Sequence, residues 1–261
     1  MKLFGLMFHH FHDKLEFKRS EGSISKNKFK KIILNFKKNI LAPQEFKDVI
    51  SSKNSKIKKA VCITFDDSIK SQVGVALEIL DDLKLKGFFF SNTFQFEKKV
   101  GMIETCRYFR NNYFTNINQF YDFFFQNLLK KFSKNKLENF FRKKKNFFIR
   151  WKKNSPFYSK KDLEFRLVRD FFLQKNEYDS ILIDLFNSKK FDYKTASKLL
   201  HFNQNDILML SNNNHEIGLH SHNHPVPITS LSFNQIKKEY KENLTYLKKI
   251  SKKNIDSMAH P

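Results

Sequence analysis

Apolar and polar positions along this chain follow two periods, and the switches between them mark out its elements. Residues 3–9, LFGLMFH, are a short apolar run ending in His9, His10 and His12, which predicts a buried first strand with polar groups at its carboxyl end. Ser25 stands before Phe29, Ile32, Ile33 and Phe36, an N-cap residue ahead of helical spacing. Pro43 and the polar stretch 51–59 break that pattern. Residues 60–65, AVCITF, are then a continuous β-prone run of the kind buried on both faces of a parallel sheet, and a second strand ends at Asp66. Val73, Ala76, Leu77, Leu80 and Leu83 recur at three and four, with Gly87 where a C-cap belongs, and 87–94, GFFFSNTF, predicts a third strand.

Residues 104–200 have a different pattern. Ile117, Phe120, Tyr121, Phe124, Leu128 and Phe132 lie on one helical stripe, and Leu137, Phe140, Phe141, Phe148 and Trp151 on another. Leu163, Leu167, Val168, Phe171 and Phe172 form a third, with Ser159 as its cap. The stripes predict an all-helical insertion between 1–103 and 201–261. After residues 206–210 comes the turn-rich SNNNH, then a short strand at 216–219, EIGL, that delivers His220. Ile236, Tyr240, Leu244 and Leu247 place a further helix, and 255–261 begin another strand.

The 261 residues carry 49 Lys+Arg against 26 Asp+Glu, a formal charge of +23, with 40% hydrophobic and 16% aromatic residues. So much core-forming material excludes a disordered polyelectrolyte. No run approaches the ~18 consecutive apolar residues of a spanning helix, and no cleavable export signal is visible, which points to the cytoplasm. Cys62 and Cys106 are too few for a disulfide framework. Lysine is spread over the whole chain beside abundant Asn and Phe, so the charge reads as a solvated surface, and most of the 32 Phe read as core.

Chemistry concentrates in two places. Asp66 and Asp67 form a carboxylate pair at a strand end, where both can reach one site only if the backbone turns. Two close carboxylates imply a cation or a raised pKa; the alternative is an Asp cap on the next helix. Residues 220–225, HSHNHP, put three histidines into five positions after an apolar strand. Imidazole is a common ligand for zinc and related ions, and His220, His224 and one carboxylate would make a three-ligand site open to water.

TFDD at 64–67 followed by HSxxH at 220–224 resembles the first two motifs of the polysaccharide deacetylases with a NodB homology domain, carbohydrate esterase family 4. KKAVCITFDDS, HEIGLHSHNHP and DSMAHP agree with the family's neighbouring words, so the resemblance covers 1–100 and 195–261. It implies an α/β fold, the distorted (β/α) barrel of that family, here incomplete at its carboxyl end. It also implies metal-dependent removal of an acetyl group, N-acetyl before O-acetyl, from a sugar of a polysaccharide or surface-glycan precursor. By resemblance Asp66 is the general base; Asp67, His220 and His224 hold a divalent ion, zinc first; and Ser221 supports the loop. A backbone N–H just past Ala259 and His260 would stabilise the oxyanion.

Ser68 departs from the family's usual Gly, a position where a side chain would need an unfavourable backbone angle. The third motif lacks its arginine, and the chain stops at Pro261 before any match to the later motifs, so a truncated catalyst is expected. His10, His12, His222 and His260 are the candidates for the site rim. Two rival readings are a basic nucleic-acid-binding module, motivated by the charge, and a non-catalytic fragment.

Overall fold

The computed structural model describes residues 2–20, 22–52 and 57–261, so 53–56 of the polar break at 51–59 lie outside the described residues. The strands are β1 (Lys2–Phe8), β2 (Phe11–His12), β3 (Ile24–Ser25), β4 (Lys59–Phe65), β5 (Phe88–Ser91) and β6 (Glu216–Leu219). Four of them form one sheet in the order β1-β4-β5-β6, every pair parallel, while β2 and β3 pair separately. Phe8 lies opposite Phe65, Phe65 opposite Phe89, and Ser91 opposite Leu219. This register sends the residues that follow β1, β4, β5 and β6 to one edge of the sheet, where ligands of parallel sheets bind.

The alternation along β4 divides the core in two. Ile63 and Phe65 pack with Phe29, Ile33, Leu80 and Phe89, whereas Ala60 and Cys62 pack with Phe46, Val49, Phe88 and Phe90. A period of two therefore feeds both faces, as a strand covered on both sides requires. Phe65 stacks on Phe89 with ring centroids 4.5 Å apart; burying one such ring stabilises the fold by roughly 1.5–3 kcal/mol. Ser25 caps the helix Lys26–Phe36 by accepting the Lys28 N–H, the cap read from the sequence.

Four features differ from the sequence expectation. β1 is not buried: Leu3, Phe4 and Met7 are exposed, because the strand pairs on one side only, and an apolar run does not distinguish a central strand from an edge. The helix after Asp67 opens with a π-helical turn, Gln72–Ala76, before Leu77–Asp82. Gly87 is not its cap, since Lys84 takes the left-handed angle there (φ 55°). Glycine at 87 relieves crowding, since a Cβ would lie 3.1 Å from the Ile63 carbonyl oxygen and 3.2 Å from the Phe65 ring. Lastly, residues 255–261 form a single bridge, Leu219 to Met258, rather than a strand; the described strands form an open run of four, in keeping with the incomplete barrel expected.

His215 opens β6 from inside the core. Its Nδ1 accepts the Gly87 N–H at 3.2 Å, and its ring meets Phe89 edge-on. Burial, with the Lys86 charge, pushes its pKa down to about 4. A histidine with a depressed folded pKa supports the fold fully above the unfolded value near 6.5. That support is lost as pH falls from about 6.5 to about 4, because the unfolded chain takes up the proton first. The expected cost is about 3 kcal/mol at pH 4. Melting temperatures of wild type and His215→Gln between pH 7 and 4 check this, with a flatter acid slope expected for the variant.

The chain divides into two compact units, Met1–Gly101 with Ala196–Pro261, and Met102–Thr195. The second unit is helical, with Met102–Asn112, Ile117–Lys131, Lys134–Lys143, Lys145–Asn154, Lys160–Phe171 and Lys175–Ser188. The stripe expected over 137–151 is two helices, broken at Lys144. The Phe141-to-Phe148 spacing is seven, so the periodicity passes through the break unaltered. Phe109, Phe120, Phe124, Phe165 and Phe186 are fully buried here, the core role read for phenylalanine. Asp162 is buried among Arg110, Arg166 and the Tyr121 hydroxyl. Among the described residues no helix is long and apolar enough to cross a membrane.

Candidate active site

The carboxyl edge of the sheet collects the acidic and imidazole groups. Asp66 and Asp67 follow β4, and the backbone turns there through two left-handed residues, Asp67 (φ 75°) and Ser68 (φ 55°). Ser68 thus takes up the angle that glycine would adopt without strain. The turn allows both carboxylates to approach one ring: His9 Nε2, just past β1, lies 4.0 Å from Asp66 Oδ2 and 3.7 Å from Asp67 Oδ2. Gln72 fixes the two strand ends together, donating from Nε2 to the Asp66 carbonyl at 2.5 Å and to the His9 carbonyl at 3.0 Å.

β6 delivers His220, and a tight loop returns His224 to the same place. Asp67 Oδ1 lies 3.0 Å from His220 Nε2 and 2.8 Å from His224 Nε2. One ligand atom from each of the three residues falls within 4.8 Å of the others. Ser221 and His224 both have positive φ (61° and 53°), and the Ser221 hydroxyl oxygen accepts the His224 N–H at 3.2 Å. Ser221 is itself fully buried.

The donor set fits a cation. His220 Nδ1 is 3.1 Å from the Ala259 carbonyl, which can only accept, so Nδ1 carries a proton. In neutral imidazole that leaves a lone pair on Nε2 facing a carboxylate oxygen at 3.0 Å. Two acceptors at that distance repel unless a proton or a metal ion lies between them. Burial alone would raise the pKa of Asp67, but the bonds from His220 and His224 hold it well below the usual carboxylate range. Asp66 goes the other way: burial raises its pKa, the Asp67 charge adds to that, and His220 and His9 only partly oppose it. Asp66 Oδ1 is buried without a hydrogen-bond partner among the described residues. The adjacent carboxylates are therefore differentiated, one held ionised and one with a free lone pair and a raised proton affinity.

The structure thus brings Asp66, Asp67, His220 and His224 together and adds His9 to them. The other histidines lie elsewhere. His12 is in β2, with Nδ1 2.8 Å from the Ser23 hydroxyl, and His10 stacks beside His9. His222 is buried rather than at a rim: Nδ1 is 2.8 Å from Thr93 Oγ1, Nε2 is 3.3 Å from Glu97, and Tyr246 stacks on the ring. It ties the loop to the segment after β5. His260 bonds the Tyr240 hydroxyl at 2.8 Å. The Ala259 N–H is bonded to the Leu219 carbonyl, and Pro261, the residue just past His260, has no N–H to offer an oxyanion.

One helix face holds the histidine loop, and the sequence did not reveal it. On Phe233–Ser251, Glu239 accepts from the backbone N–H of His222 (3.0 Å) and of Asn223 (2.7 Å) and from the Asn223 amide (2.7 Å). One turn on, fully buried Asn243 accepts the His220 N–H at 3.0 Å and donates to the Ser91 carbonyl and Thr93 Oγ1. In a helix rich in Lys, Glu and Asn, no local pattern separates these two polar residues from solvated ones; the i, i+4 spacing was their only signal. Removing such an outer tie typically costs 10–100-fold in metal affinity. Asn243→Ala should weaken metal binding by about that factor at unchanged ligands, as measured by competitive chelator titration.

The polysaccharide deacetylase family model matches residues 175–261. Two solved structures resemble the chain along its whole length. One is the Streptococcus pyogenes deacetylase PplD in complex with acetate, 15% identical, with a TM-score of 0.53, 100% of this chain and 74% of that one covered. The other is IcaB from Ammonifex degensii, 14% identical, with a TM-score of 0.54 and the same coverage. At these identities the likeness is one of fold, and it agrees with the α/β deacetylase fold expected from the motifs. No curated protein matches the sequence.

Proposed function

We propose that this chain is a metal-dependent deacetylase that hydrolyses an acetyl group, N-acetyl in preference to O-acetyl, from a sugar of a polysaccharide or glycan precursor. The observation that carries the reading is the Asp67–His220–His224 group beside the buried Asp66, whose Oδ1 has no hydrogen-bond partner among the described residues. The family match over 175–261 and the fold of the deacetylase PplD support it.

Asp67, His220 and His224 would hold a divalent ion, zinc by the chemistry of two imidazoles and a carboxylate. Bound there, it supplies a Lewis acid for the acetyl carbonyl and lowers the pKa of water. Asp66 Oδ1 accepts the proton of the attacking water, its lone pair kept free by the absence of a hydrogen bond and its basicity raised by burial. His220 keeps Nε2 turned to the ion because Nδ1–H is fixed on the Ala259 carbonyl. His9, beside both carboxylates, supplies a donor for either oxygen. Water adds to the acetyl carbon, the bond from that carbon to the sugar nitrogen breaks as the nitrogen takes up the proton that Asp66 received, and the products are acetate and an amino sugar.

Acetate release from an N-acetylhexosamine oligosaccharide and from an O-acetylated glycan, measured side by side with metal-loaded protein, tests the proposal. Release from the first substrate is expected to exceed that from the second. Release from neither, with metal bound, would refute it.

A further inference from the structure

The helical unit carries a surface that its own packing does not explain. Nine of the twenty residues 142–161 are Lys or Arg and none is Asp or Glu, against 49 basic and 26 acidic residues in the 261 of the chain. A basic composition spread evenly does not make so dense and one-signed a segment. The helix Lys145–Asn154 buries none of its residues, although Phe147, Phe148, Ile149 and Trp151 lie in it. Ile149 is 55% exposed and Phe157, just beyond the helix, 73%. Phe148 and Ile149 share an open trough with Lys152, Lys153 and Lys160. Lys160 stands near Glu164, but Lys145, Arg150, Lys152 and Lys153 have no acidic partner among the described residues.

We propose that this face docks on a lipid bilayer surface rich in anionic headgroups. Clustered lysines without counter-charges gain from an anionic surface and lose little by leaving water, since their heads stay at headgroup level while their stems lie along apolar surface. Exposed Ile149, in the trough with those lysines, supplies the apolar contact that an interfacial helix buries at the acyl boundary, and exposed Phe157 follows eight residues on. A nucleic acid satisfies only half of this arrangement. It attracts the lysines and stacks on aromatic rings, but it offers nothing to the aliphatic side chain of Ile149. The face is independent of the Asp67 group and makes no demand on it.

Co-sedimentation of the full chain with vesicles of phosphatidylcholine alone, or containing about a third phosphatidylglycerol, tests the proposal, with single-stranded RNA as competitor. Binding is expected on the anionic vesicles only. Lys152→Gln with Lys153→Gln should weaken it roughly tenfold or more. Ile149→Ser with Phe157→Ser should remove the binding that persists at about 0.5 M salt, where surface charges are screened. Both variants should keep the wild-type melting temperature and acetate release from a soluble oligosaccharide. Equal binding to both vesicle types, or indifference to both variants, would overturn the proposal. So would RNA that displaces the vesicles and binds the Ile149→Ser, Phe157→Ser protein as tightly as wild type, which would make the face a polynucleotide surface.

Discussion

Asp66→Asn should lower acetate release by about 10²–10⁴-fold while leaving one metal ion per chain. The substitution keeps the size of the side chain and replaces the carboxylate that accepts the proton by a non-basic amide, and Asp66 Oδ1 is a buried oxygen with no hydrogen-bond partner among the described residues. The ion-holding atoms would be untouched, because both imidazole Nε2 atoms face Asp67 Oδ1. Initial rates with a soluble N-acetylated oligosaccharide, together with metal analysis of the same preparation, check both halves. Loss of metal from Asp66→Asn and its retention by Asp67→Asn would reverse the two roles.

The double variant His220→Ala, His224→Ala should lose stoichiometric metal and, with it, all measurable acetate release. Two of three ligand atoms disappear, so affinity should fall by more than the roughly 10–100-fold that removal of an outer tie costs. The fold should survive, since the loop keeps the hydrogen bonds that its backbone N–H groups, rather than its imidazoles, donate to Glu239 and Asn243. Metal analysis after dialysis and far-ultraviolet circular dichroism separate these outcomes. One ion per chain in the double variant would place the metal elsewhere.

Most of the candidate site was legible because its acidic and imidazole residues sit at strand ends, where an apolar run stops abruptly at a polar residue. β4 runs into Asp66 and β6 into His220, and a parallel sheet must bring such ends to one edge. The turn at Asp67 and Ser68 was legible too, as the condition for two neighbouring carboxylates to face one site. Asn243 and Glu239 were not: their significance depends on which face of a long helix is inward, and a helix of mixed polar residues does not reveal that. Nor was the place of His222, because three histidines in five positions look alike until the backbone angles at Ser221 and His224 turn one of them under Tyr246. The exposure of β1 depended on what pairs beside it, a non-local fact with no trace in the strand's own residues.

The Gly101 N–H donates to the Ser197 hydroxyl at 2.9 Å. The polypeptide therefore leaves the sheet-bearing unit and rejoins it at one point, and the ninety-odd residues between behave, for that unit, as a hairpin bend of unusual size. Because the gap between exit and return is already spanned by a single hydrogen bond, the ring formed by whatever lies between them can shrink or grow with only a logarithmic entropic penalty. Inheritance can thus act on the two parts separately. The helical cargo is free to lengthen, shorten or be exchanged among descendants, while the strands that carry Asp67 and His220 keep their spacing.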